Sequence, residues 1–126
     1  MLRLLKINNI ALIDDLEIEF GGGLNLLTGE TGSGKSIIID GLGALSGERV
    51  SSDLIKQGES AARIEGVFSI ELSREAAEIF AEAGVDAVDD EIIVRRELSA
   101  SGKNRIFVND RLVTQNFLKR VGYLFA

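Results

Sequence analysis

Apolar and polar positions trade places every second residue along the first twenty positions, in two successive runs. Leu2, Leu4, Leu5 and Ile7 stand among Arg3, Lys6 and Asn8, a first strand whose alternation slips at Leu4-Leu5. Leu16, Ile18 and Phe20 then alternate with Asp15, Glu17 and Glu19, which predicts a half-buried strand with an acidic outer face. Gly21-Gly22-Gly23 turns the chain into a short apolar run of strand type, residues 24–28.

From there the period changes. Ile38, Leu42 and Leu45 recur at helical spacing, predicting a helix from near Gly34 to around Gly47. Residues 48–62 are irregular and polar, with Arg49 and Lys56 as their cations. Ile64, Phe68, Ile70 and Leu72 share one face of another strand. Ser73 then caps a helix that runs through Ala76, Ile79, Phe80 and Ala83 and stops at Gly84. Residues 92–98 and 105–109 read as two strands joined across residues 99–103, with a second tight turn at Asn109-Asp110. Thr114 caps a last helix whose inner face is Phe117, Leu118, Val121, Leu124 and Phe125. Antiparallel pairing early and late departs from the regular strand–helix alternation of a doubly wound sheet. No repeat, linker or heptad seam interrupts the pattern.

Composition narrows the chemistry. With 126 residues, 45% hydrophobic and 27% charged, the chain is expected to form one domain with a real core rather than a disordered segment. A net charge of −6 argues against binding nucleic acid by bulk electrostatics, though a local basic patch stays open. The absence of His and Cys removes imidazole bases, thiol nucleophiles, disulfides and zinc sites of those types, leaving oxygen ligands of the kind that suit Mg²⁺. Charges at Arg3 and Lys6 come too early for a signal peptide, and no apolar run approaches membrane-spanning length; a cytoplasmic protein is expected.

One segment carries specific chemistry. Gly29-Glu30-Thr31-Gly32-Ser33-Gly34-Lys35-Ser36 is a complete G-x-x-x-x-G-K-[ST] phosphate-binding sequence, placed between a strand-type run and a helix. Its glycines let successive backbone N–H groups turn inward toward phosphate oxygens. Lys35 sets a charge on the β- and γ-phosphates, where it stabilises transition-state charge, and the Ser36 hydroxyl can complete a Mg²⁺ shell. The helix that follows adds its N-terminal partial positive charge. No guanine-reading Asn-Lys-x-Asp sequence appears, which favours ATP.

The wording around this loop resembles the RecN family of bacterial DNA-repair ATPases, relatives of the structural-maintenance-of-chromosomes (SMC) proteins. The resemblance rests on Ile7-Asn8-Asn9-Ile10-Ala11-Leu12-Ile13, on the phosphate loop with Ile37-Ile38-Ile39-Asp40, and on the stretch from Val94 to Asp110. SMC proteins proper usually carry Pro-Asn where this chain has Glu30-Thr31, and Gly where it has Asp110. The resemblance implies an α/β fold of the P-loop NTPase class, of ATP-binding-cassette (SMC-like head) type. Residues 1–126 would form the amino-terminal half of such a head, with mixed and antiparallel strands. It further implies ATP and Mg²⁺ as cofactors, the carboxy-terminal half of the same head and a second head as partners, and DNA as a partner of the complete protein. ATP would engage two heads, while the catalytic acid and the signature loop would come from residues beyond these. A sheet edge and an apolar face awaiting the missing half would leave the chain self-associating or marginally stable.

Other readings stay open. Asp89-Asp90-Glu91 echoes the acidic pair that holds Mg²⁺, but residues 84–88 have loop composition, so a solvated turn is the expectation. Residues 98–103 echo a signature loop, yet they sit between strands and read as a hairpin connection. Arg95, Arg96, Lys103, Arg105 and Arg111 form either a solvated strand face or a patch touching DNA phosphates. A self-contained small NTPase or kinase, and a non-catalytic module whose assembly follows bound nucleotide, are the competing functions.

Overall fold

The slip at Leu4-Leu5 has a geometric cause in the fold. In the computed structural model, which describes residues 2–20, 32–87 and 90–125, strand β1 (Leu2–Ile10) carries a register shift between Leu2 and Leu4 where it meets β3. Beyond that irregularity Leu5 and Ile7 both point to the core. The readings of residues 21–23 as a turn and 24–28 as a strand fall outside the described residues.

β1 pairs with β2 (Ile13–Glu19) on one side and β3 (Ala61–Ser69) on the other. The sheet continues through β4 (Glu91–Ser99), β5 (Asn104–Val108) and β6 (Arg111–Val113), in the order β2-β1-β3-β4-β5-β6, with every neighbouring pair antiparallel. Three α-helices are described: α1 (Gly32–Leu45), α2 (Arg74–Glu82) and α3 (Gln115–Val121), followed by a 3-10 turn over Gly122–Phe125.

Period-two alternation divides the sheet into unlike faces. Ile64 and Phe68 of β3, Ile92, Val94 and Leu98 of β4, and Ile106 and Val108 of β5 are buried with Leu5 and Ile7. They pack with Leu45 of α1, Phe80 of α2 and Leu118 of α3 in one core. The opposite face carries charges that alternate in sign across the register. Glu17, Lys6, Glu65 and Arg95 stand side by side in one row, and Asp15, Asn8, Arg63, Glu97 and Arg105 in the next. Opposite charges on neighbouring strands favour this register, each pair contributing a few tenths of a kcal/mol, on the order of 0.2–1.

Local signals place the connections. Ser73 Oγ accepts from Ala76 N at 3.1 Å and Thr114 Oγ1 from Phe117 N at 3.0 Å, so both expected caps start their helices. Asn109 and Asp110 adopt φ of +47° and +65°, the doubly left-handed geometry that closes a tight hairpin between β5 and β6. β6 is an addition to the strands read from the sequence; at three residues it is too short to show a period.

Candidate nucleotide-binding site

Helix α1 starts at Gly32, so residues 32–36 of the phosphate-binding sequence form its first turn. Main-chain N–H groups of a first turn have no intrahelical acceptor and face outward along the axis, where an anion can meet them. Gly29, Glu30 and Thr31, and the side chains of Ser33, Lys35 and Ser36, lie outside the described residues. What the structure does define is how the rest of the helix is held.

The helix lies on the apolar face of the sheet at a place made by a missing side chain. A Cβ on Gly66 of β3 would come within 2.5 Å of Leu45 Cδ1, so glycine there is what allows Leu45 to sit fully buried against the strand. At its C-terminal end, Gly47 takes φ +100°, Glu48 N donates to Gly43 O at 3.1 Å and Gly47 N to Ala44 O at 3.3 Å. This is the paired-bond glycine cap that satisfies a helix's last carbonyls. Gln115 Nε2 adds a bond to Gly47 O at 3.2 Å, tying α3 to the same end.

Arg96 reaches this end from β4. Its Nη1 donates to Ala44 O at 2.9 Å and also to Glu48 O, and the residue is only 2% exposed. Desolvation holds the guanidinium below the ordinary arginine pKa, although arginine stays charged throughout the physiological range. Both readings of the basic cluster are therefore corrected for Arg96, which is neither on a solvated face nor available to DNA. The remaining members are held in different ways. Arg95 lies over the Phe107 ring, 4.4 Å from its centroid, and pairs with Glu97 at 3.1 Å and Asp110 at 3.4 Å. Arg111 lies against Gly84, and exposed Arg105 stands opposite Glu97 in the register. Lys103 is exposed in the hairpin turn. Lys56 pairs with Asp14, while Arg49 is exposed.

The two imitations of catalytic motifs resolve as turns. Asp90 has φ +54° and its carbonyl accepts from Ile70 N at 2.8 Å, and β4 begins at Glu91; Asp89 lies outside the described residues. Ser99 ends β4 and Asn104 begins β5, so the would-be signature loop is a hairpin connection. Among the described residues no group of three or more acidic side chains is placed to hold a metal ion.

Two contributors escaped the sequence reading. Arg96 is in phase with Ile92, Val94 and Leu98, and a cation at an apolar parity was the available signal. Asn109 Oδ1 accepts from Ile93 N at 2.8 Å and its Nδ2 donates to Asp86 O at 2.6 Å; no local pattern announces bonds across that separation.

The sequence profile of the AAA domain matches residues 4–121. The chain belongs to the AAA-domain family. Among its relatives is the DNA repair protein RecN of Bacillus subtilis (strain 168), 45% identical over 124 residues. That match covers 98% of this chain and 22% of RecN, so the chain spans about a fifth of the length of the curated relatives it matches. The stretch resembled is the amino-terminal segment of RecN. Among solved structures, this AAA domain is similar to the SMC head domain of Thermotoga maritima, with a TM-score of 0.67 and 25% identity over 94% of this chain and 41% of that one. It is likewise similar to the Smc head of Pyrococcus furiosus, with an extended coiled coil and bound to the C-terminal domain of ScpA. There the TM-score is 0.72 at 21% identity, over 95% of this chain and 32% of that one. The fold is that of the amino-terminal half of a P-loop ATPase head, a nucleotide-binding architecture. No described helix of this AAA domain is long and apolar enough to cross a membrane.

Proposed function

We propose that the chain is the ATP-binding half of an SMC-like ATPase head that acts in DNA double-strand-break repair and recombination. The repair part of this reading is taken from the similarity to the DNA repair protein RecN; the ATP-binding part is carried by the coincidence of residues 32–36 of the phosphate-binding sequence with the first turn of a helix held at its other end by Arg96 and Gln115. A phosphate loop works by holding main-chain donors in place before the ligand arrives, and a helix fixed on a sheet supplies that preorganisation.

In this reading residues Gly29 to Ser36 bind the phosphates, Lys35 stabilises charge on the transferred group, and Ser36 is the one side chain of the loop that ligates Mg²⁺. Oxygen donors and a positive helix end fit a magnesium–triphosphate, and the chain offers no imidazole or thiolate to compete for a softer metal. When bound, Mg²⁺ would neutralise charge developing on the phosphates. In this reading the acid for turnover comes from beyond this chain; none of the described strands leads into an acidic pair of the kind that polarises water.

The partner best supported is the carboxy-terminal half of the same head. Helix α1 buries Ile38 against the sheet yet leaves Ile39 63% exposed, with Ile37 and Leu42 half-buried. A helix apolar on more than one side is suited to lie between two layers. A second head, engaged through ATP, and DNA would be partners of the complete protein, which we place in the cytoplasm.

The test is binding and turnover of ATP with Mg²⁺ by this chain beside Lys35→Ala. Binding without turnover, lost in the variant, supports the half-head. Turnover well above the variant would instead indicate a self-contained NTPase, and equal binding by both would remove the phosphate loop from the account.

A further inference from the structure

Arg96 is an arginine in a hydrocarbon setting. It sits on the core face of β4 between Ile64 of β3 and Ile106 of β5 in the register, 2% exposed. Both its described hydrogen-bond acceptors are main-chain carbonyls, Ala44 O and Glu48 O, and neither is a carboxylate. Its Nε is buried without a partner. An arrangement selected for stability alone would not keep this residue, because an unsatisfied buried donor and a desolvated charge both oppose folding. What the guanidinium gains is the negative end of a helix, where the last carbonyls of α1 converge and favour a cation.

We infer that Arg96 is a positioning residue for the nucleotide site, its guanidinium fastening the C-terminal end of α1 to β4 and thereby fixing where the helix's first turn lies. This rests on the phosphate-binding role proposed for residues 29–36. The mechanics are those of a rod. The helix is 14 residues long, about 20 Å at ~1.5 Å per residue, and transmits a displacement of one end to the other. The glycine cap at Gly47 ends the helix but does not attach it to the sheet. Leu45 in the Gly66 notch attaches it only through non-directional contact, which leaves sliding and rotation less restricted. The Arg96 bonds are directional, and they come from the strand next to the one carrying Gly66. Together the two contacts define a position and an orientation.

The test uses the 126-residue chain, a fluorescent N-methylanthraniloyl ATP with Mg²⁺ as probe, and amide hydrogen exchange as a readout that needs no nucleotide. Arg96→Met and Arg96→Lys are compared with wild type, with Lys35→Ala, and with Val108→Ala as a core variant on β5. In Arg96→Met the amides of α1 should exchange faster and the probe should bind about tenfold more weakly, equivalent to about 1.4 kcal/mol. Val108→Ala should bind like wild type even where its melting temperature falls further. Arg96→Lys, which keeps the charge and loses the planar fork, should lie between. If Arg96→Met does not fold, Arg96→Lys against Val108→Ala carries the same comparison. The inference is overturned if folded Arg96 variants keep wild-type exchange in α1 and wild-type affinity, or if Val108→Ala loses affinity in step with its stability. Equal binding by wild type and Lys35→Ala would overturn the phosphate-loop reading and, with it, the nucleotide part of the inference. Faster α1 exchange in Arg96→Met would in that event still support the anchor.

Discussion

Replacing Gly66 by alanine tests the packing that seats α1. The new Cβ would lie 2.5 Å from Leu45 Cδ1 and 3.0 Å from Phe68 Cε2. Leu45 is 0% and Phe68 2% exposed, so neither can swing its end into solvent to make room. Forcing an extra methyl into a packed core costs about 1–3 kcal/mol. Against that, removing glycine from a strand interior recovers roughly 0.5–1 kcal/mol. The net expectation for Gly66→Ala is a loss of about 1–2 kcal/mol, which lowers the melting temperature by about 3–8 °C. Urea denaturation followed by circular dichroism measures this directly, and a double-mutant cycle locates its cause. Leu45→Ala alone should cost about 2–5 kcal/mol. Combined with Gly66→Ala it should cost about 1 kcal/mol less than the sum, because the struck atom is gone. Additivity within about 0.5 kcal/mol would refute the claim that α1 sits on β3 through the Leu45–Gly66 contact.

Asn109→Ala removes two hydrogen bonds and leaves a Cβ residue at φ +47° without its polar compensation, so a loss of about 2–3 kcal/mol is expected in denaturant titration. Asn109→Gly should recover about 1 kcal/mol of that by relieving the backbone alone. Asp110→Gly, at φ +65°, should stabilise by about 0.5 kcal/mol, since the Arg95 contact it gives up is to an exposed carboxylate of little worth; a drop in stability would show that contact to matter more. Ile39→Lys should reduce self-association in sedimentation velocity while leaving the free energy of unfolding within about 0.5 kcal/mol of wild type, and unchanged association would mean that α1's outer side is not the sticky surface.

Elements whose two sides differ in polarity were legible in the sequence. β2 alternates from Asp15 onward and burial alternates along β3 and β4, while α2 and α3 announce themselves through Ser73 and Thr114. The phosphate-binding sequence was legible as a motif, and its position at the start of α1 follows from the helical period beyond it. Charge was the poorest guide. Five basic residues close in sequence suggested one surface, but neighbours on a strand point to opposite faces, so Arg95 and Arg96 had to part company. Arg95 found a ring and two carboxylates on the outer face, and Arg96 went into the core. Parity with Ile92, Val94 and Leu98 contained that answer, while residue type argued against it.

The same conflict between type and position explains α1. Its three successive isoleucines, Ile37, Ile38 and Ile39, point in different directions around the axis, and the sheet can bury only one side of a helix. Ile38 took that side at 8% exposure, and Ile39 is left 63% exposed. A sequence optimised for this sheet alone would place a polar residue at position 39, as it does at Asp40. The apolar excess on α1 and the costly arginine beneath its far end therefore argue in the same direction. The helix is held in one place from below by a buried arginine, and offers a hydrophobic side above for a second layer. Both features fit a helix whose position matters to a ligand at its first turn.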